Sequence, residues 1–249
     1  MNELRKAWLK ELGVDRVFAF PAAAPAHPVP QAASAAPASA PVADAARQAP
    51  PAQVAAVQEA PVLNPREALL ALHASVQSCM ACELSATRRN VVFGEGVTDP
   101  EWLIIGEAPG EQEDRAGRPF VGKSGQLLDV MLSVIGANRQ TNAYIANIVK
   151  CRPPNNRDPL PAEIQACQGH LHAQIALLKP RRILLVGRMA AQTLLNSDAR
   201  ISSLRQQVYQ LEIGSATYPA VATYHPAYLL RSPGEKKKAW QDLLLARDC

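Results

Sequence analysis

The sequence predicts an α/β fold, a three-layer α/β/α sandwich around a central parallel sheet of about four strands. Three observations lead there. Short apolar runs bounded by turn residues, such as Trp102–Ile105 and Arg182–Val186, alternate along the chain with stretches of helical periodicity. The helical stretches are long enough to serve as right-handed crossovers between parallel strands. Hydrophobic residues are 48% of 249 while charged residues are 19%, which supplies a sizeable core and excludes wholesale disorder.

Aromatics are only 5% whereas prolines number 21, so part of the chain is expected to lie outside the globular domain. Residues 1–20 read as a short amphipathic helix, with Leu4, Trp8, Leu9, Leu12, Val17 and Phe18 recurring at roughly helical spacing. Residues 21–62 are nearly all Ala and Pro, too poor in bulky apolar surface to offset the entropy of ordering, and read as a flexible linker. The helix either docks on its own domain or recruits a protein partner; the sequence leaves both open. Residues 63–249 form the domain. Asn64 caps and Pro65 opens a helix running toward Cys79. There follow a strand at Trp102–Ile105, a helix over Gln126–Ile135, a strand over Ala143–Val149 and a helix over Ala162–Leu178. A strand at Arg182–Val186, a helix over Met189–Leu195, a strand at Ala220–Tyr224 and a Lys-rich helix ending near Ala246 complete the series.

The net charge, 26 basic minus 22 acidic residues, is +4, which permits a polyanionic partner without requiring one. No stretch approaches the ~20 apolar residues of a membrane span. Glu3, Glu11 and Asp15 stand where a secretory signal is apolar, so the expected location is cytoplasmic and no membrane contact is expected. Five cysteines in that compartment read as ligands or free thiols.

In a parallel sheet, functional groups gather at the carboxyl ends of the strands. The first strand runs into Gly106-Glu107-Ala108-Pro109-Gly110, the acidic stretch Glu111–Asp114 and a second Gly-rich turn from Gly117 to Gly125, which together predict a rigid, tightly turned loop. Gly117–Ser124 matches the phosphate-cradling G-x-x-x-x-G-K-S pattern. The context opposes that match: an acidic run precedes it, and Pro119 removes a backbone donor. The second strand ends at Asn147, whose carboxamide offers a donor and an acceptor to a flat amide-bearing ring, although capping a turn is the commoner fate of Asn. The last strand ends in Tyr224-His225-Pro226, and His225 is the histidine with chemistry available. His27 falls in the linker and His73, His170 and His172 in helices. Cys79 and Cys82 form C-x-x-C, and Cys151 and Cys167 follow the second strand and enter the next helix. Four such thiolates suit a tetrahedral zinc or an iron–sulfur cluster, and spacing alone does not choose between them. A redox C-x-x-C is disfavoured because this pair closes a helix rather than opening one.

Over roughly Leu69 to Leu245 these motifs resemble the family-4, iron–sulfur uracil-DNA glycosylases. The resemblance rests on Gly106–Gly110, Gly117–Gly122, Asn147–Pro154 and His225-Pro226-Ala227 in that order, with four cysteines at matching places. It implies a structural four-iron four-sulfur cluster on Cys79, Cys82, Cys151 and Cys167, with no nucleotide or magnesium. It further implies a uracil site formed by Gly106, Ala108, Phe120 and Asn147, where Phe120 stacks on a flipped uracil, Asn147 bonds its edge and His225 lies beside the leaving base. His225 is then the catalytic donor to the base oxygens and Glu107 the group that positions water, because the water-activating Asp of better-known uracil glycosylases is Ala108 here. No added His follows the second strand to trap the product covalently, so turnover is expected. Arg231, Lys236 and Lys237 are expected to hold DNA phosphates, and Tyr228, Leu229 or Leu230 to fill the vacated stack. A solvated helix face is the plainer explanation of the lysines. The implied partner is uracil-containing DNA, single- or double-stranded, with the protein a monomer. Two rival functions remain: a P-loop nucleotide-binding protein using Gly117–Ser124, and a noncatalytic DNA-binding adaptor.

Overall fold

The computed structural model describes residues 64–249; the helix expected over 1–20 and the linker expected over 21–62 lie outside them. Six strands form one sheet: β1 (Glu95–Gly96), β2 (Trp102–Gly106), β3 (Ala143–Asn147), β4 (Arg182–Val186), β5 (Val208–Ile213) and β6 (Ala216–Thr223), in the order β1-β3-β2-β4-β6-β5. The four inner strands are parallel, as expected, with Gly106 in register with Asn147 at the carboxyl edge. Two antiparallel edge strands, β1 on β3 and β5 on β6, enlarge the expected sheet.

The helices are α1 (Pro65–Gln77), α2 (Leu84–Thr87), α3 (Glu111–Ala116), α4 (Lys123–Val134), α5 (Pro161–Leu178), α6 (Arg188–Leu195), α7 (Ile201–Leu204), α8 (Pro226–Arg231) and α9 (Lys236–Asp248). Alternation along β2 divides the core. Trp102 and Ile104 pack with Leu128 of α4 and Leu243 of α9, whereas Leu103 and Ile105 pack with Val76 of α1, Ile175 of α5 and Ala190 of α6. Helices thus cover both faces, which is why every residue of β2 and β3 is buried. At the start of α1 the Asn64 carboxamide accepts from Glu67 N at 2.9 Å and Glu67 accepts from Asn64 N at 3.1 Å, a reciprocal cap with Pro65 in the first turn.

The acidic stretch after β2 departs from the expected loop: Glu111–Ala116 is helical. Three acidic residues in its first turn complement the positive end of the helix, and Gly117 ends it at φ 67°. No helix among the described residues is long and apolar enough to cross a membrane.

Candidate active site

All four parallel strands terminate at one cleft of about 860 Å³, lined by Glu107 after β2, Asn147 at the end of β3, Arg188 after β4 and His225 after β6. Gly106 is the point on which two of the expected groups converge. A Cβ there would lie 2.5 Å from Asn147 Oδ1 and 2.7 Å from Phe120 Cζ, so both side chains close over a position that only glycine leaves open. The Phe120 ring in turn lies 5.5 Å from the His225 ring, centroid to centroid, at 29°. Phe120, Asn147 and His225, far apart in sequence, therefore meet in one cavity.

Asn147 Oδ1 is buried without a hydrogen-bond partner. Such an orphan acceptor costs about 1–3 kcal/mol, which a ligand N–H at this place would recover. Phe120 holds a left-handed backbone, φ 52°, that its side chain would not choose. Arg139, itself buried, clamps it there by donating to Pro119 O at 3.1 Å and Phe120 O at 3.2 Å, and is fixed by Asp129 and Glu95.

His225 caps α8, and its Nδ1 accepts from Ala227 N at 3.1 Å. That bond leaves the proton of the neutral ring on Nε2. Burial, reinforced by the Arg231 charge, pulls its pKa down to about 4, so the ring is neutral at physiological pH and offers an N–H without a positive charge. Gly187, at φ 98°, lets the chain leaving β4 pass beneath this ring; a Cβ would stand 3.1 Å from His225 Cβ.

Glu107 is half-buried across the cleft. Burial, and then Asp158 beside it, push its carboxyl up to about 7, while Arg188 pulls the other way. Arg188 is paired with Asp158. Ala108 lines the same cleft.

The P-loop alternative fails on donor geometry. Glu113 Oε1 accepts from Val121 N at 3.0 Å and Gly122 N at 3.4 Å, so amides of Gly117–Ser124 that would cradle a phosphate already face a carboxylate. Glu113 belongs to α3, the helix that was expected to be loop.

A second, small cavity is ringed by Cys79, Cys82, Cys151 and Cys167. None of these thiols is in a disulfide. Among the described residues, no three His, Cys, Asp or Glu side chains are close enough to share a single metal ion. Arg88 Nη1 lies 3.2 Å from Cys151 Sγ and His170 Nε2 3.4 Å from Cys79 Sγ. Burial raises the pKa of Cys151 and Cys167, opposed by Arg88 at the first and Lys150 at the second.

The family model described as "Uracil DNA glycosylase superfamily" matches residues 93–244, a span that includes all three converging side chains. The chain belongs to the uracil-DNA glycosylase superfamily. A type-4 uracil-DNA glycosylase of Pyrobaculum aerophilum is 42% identical over 178 residues, 70% of this chain and 90% of that one. One from Archaeoglobus fulgidus is 42% identical over 162 residues, 64% and 81% of the two chains. One from Thermotoga maritima is 43% identical over 158 residues, 63% and 80%. Within the superfamily, the resemblance to the type-4 branch thus extends over most of those relatives' length.

For a uracil-DNA glycosylase, the groups expected to meet DNA divide by exposure. Tyr228, Leu230, Arg231 and Lys237 are exposed, and Tyr228 and Arg231 border the cleft. Leu229 is fully buried beside the core and cannot enter a base stack, and Lys236 is buried as well. Both expectations are corrected by helix phase: in α8 and α9 these positions turn inward. Sequence reasoning also missed Arg139, Asp158, Gly187, Arg188 and Glu113. A Gly between strand and helix at Val186-Gly187-Arg188 was the available signal for the fourth strand end. Nothing local marked the others.

Proposed function

We propose that this chain turns uracil out of DNA into the cleft and hydrolyses its N-glycosidic bond, releasing free uracil and leaving an abasic site. The convergence of Phe120, Asn147 and His225 around Gly106 carries this reading. A base within a duplex is out of reach, so the nucleotide must be extruded at a cost of a few kcal/mol, less for a weak U·G pair. Arg231 and Lys237 on the exposed rim hold phosphates, and Tyr228 or Leu230 fills the gap left behind.

In the cleft the Phe120 face supports the base. Asn147 Oδ1, lacking a donor, accepts uracil N3–H; cytosine presents an unprotonated N3 there and leaves two acceptors opposed. As the C1′–N1 bond breaks, its electron pair moves onto the uracil ring, and the neutral His225 donates Nε2–H to the base oxygen where charge gathers. One such donor is worth about 3 kcal/mol in the transition state. Water bonds to C1′ of the electron-poor sugar and gives up a proton, with ionised Glu107 orienting the water and accepting that proton.

The second cavity suits a four-iron four-sulfur cluster: four soft thiol donors line it, with Arg88 and Lys150 available to balance the negative charge of a thiolate cluster. When bound, that group supplies structure, pinning the segment after Asn147 to α5 and to the segment after α1. The reaction itself runs on Phe120, Asn147, His225 and Glu107. We read the site of action as the cytoplasm. A noncatalytic adaptor has no use for a neutral histidine and an orphan carboxamide in one cleft. The test is release of free uracil from a single-stranded uracil oligonucleotide without magnesium or ATP. Free base plus an alkali-labile abasic site is the expected result; intact DNA after prolonged incubation refutes the proposal.

A further inference from the structure

Lys150 stands between the two cavities. Its side chain is completely buried, an unusual place for an ammonium. It lines the thiol cavity with the four cysteines, and its main-chain N–H is directed at the Cys167 sulfur. At its other end Nζ donates to the main-chain carbonyl of Asn147 at 2.8 Å. Among the described residues it has no ion-pair partner in a carboxylate; the acidic group that acts on its charge is the Cys167 thiol.

A buried ammonium facing one neutral acceptor is strongly unfavourable unless negative charge lies nearby. In the cluster proposed above the four cysteine sulfurs are thiolates, and that group's net negative charge would answer the ammonium. The ammonium then has two tasks set by position: it balances the cavity, and it holds the peptide that carries the Asn147 side chain. The adjoining backbone is fixed from the opposite side, since Ile148 N donates to Gly106 O at 3.0 Å and Val149 N to Glu107 O at 3.3 Å. The Lys150 contact completes the immobilisation of the turn from which the carboxamide projects.

We propose that Lys150 is a positioning residue joining the two cavities: its ammonium, set among the four thiols, holds the carbonyl of Asn147 and so fixes the carboxamide that reads the base. This rests on the cluster and base-reading roles proposed above. It makes the thiol cavity part of uracil selection as well as of folding.

The test is a double-mutant cycle on the iron-loaded full chain, using Lys150→Met and Asn147→Ala singly and together. Binding is read as the affinity for an oligonucleotide carrying a non-cleavable 2′-fluoroarabino-uridine, and cluster retention as iron content and visible absorbance. Lys150→Met is expected to keep its iron and to weaken binding about tenfold, the scale of one charge-assisted hydrogen bond. In the Asn147→Ala background the same change is expected to have almost no further effect. Wild-type binding by Lys150→Met, or an equal loss in both backgrounds, overturns the proposal. If Lys150→Met loses iron, Lys150→Gln, which keeps a donor without charge, takes its place in the cycle; loss of iron by both assigns Lys150 to the cavity alone and overturns the link. Failure of the underlying reading shows separately, as a wild-type chain that carries no iron or binds uracil oligonucleotide no better than its thymine counterpart.

Discussion

His225 and Glu107 face one cleft with opposite electrostatic biases. Burial and Arg231 keep the histidine neutral down to about pH 4, whereas burial and Asp158 hold the Glu107 proton up to about pH 7. The sign follows for each. Raising pH through 7 ionises Glu107 and creates the acceptor for water, so single-turnover excision is expected to climb with an apparent pKa near 7. Lowering pH from 7 to 5 leaves His225 neutral and contributes no loss of its own. Glu107→Gln is expected to flatten the limb near 7 and lower the plateau; a limb that persists unchanged in that variant assigns it to another group. At this scale the sequence was informative where chemistry and position coincide. Asn147 closes β3, His225 follows β6 and Phe120 stands in the Gly-rich turn between α3 and α4, each with a residue type suited to a flat polar ring. Asp158 and Arg188 were illegible because their meaning depends on facing Glu107, a contact across 51 and 81 residues that no local pattern records.

Among the elements, β6 and α9 hold His225 in place. Asp242 of α9 accepts from Arg205 Nε at 2.6 Å, Thr223 Oγ1 at 2.9 Å and Gln206 Nε2 at 2.7 Å, and the Arg205 guanidinium lies 4.5 Å over the Tyr224 ring. This buried pair anchors the last residue of β6 two positions before the histidine. Asp242→Ala leaves Arg205 charged and unpaired and is expected to destabilise the domain by about 3–5 kcal/mol in urea unfolding; a wild-type midpoint contradicts the assignment. The inner strands were legible because burial on both faces makes them continuous apolar runs. β1 has only two residues, too short for any periodicity. β5 alternates and meets β6 through the Gly214–Ser215 turn, with Gly214 at φ 63°, an edge hairpin that lies outside the strand–helix alternation marking the inner strands. Leu229 lies in a six-residue helix, too short to fix which side faces the core, and Lys236 opens α9 in a run of three lysines that carries no apolar periodicity.

Across the whole molecule, every group assigned to excision lies within residues 64–249, while the Ala/Pro-rich stretch and the helix expected before it carry none of them. Deleting residues 1–62 is therefore expected to leave uracil release in the test tube unchanged. If the segment recruits a partner, the same deletion impairs repair in cells; unaltered repair removes that role. The cleft draws its chemistry from all four parallel strand ends, and among the groups there His225 is the one assigned to the departing base. The most direct measurement is the single-turnover rate of uracil release by His225→Ala beside the wild type at neutral pH, with iron content matched. A fall of about 100-fold or more is the predicted result; a variant that excises at the wild-type rate contradicts the assignment of His225 as the donor to the departing base.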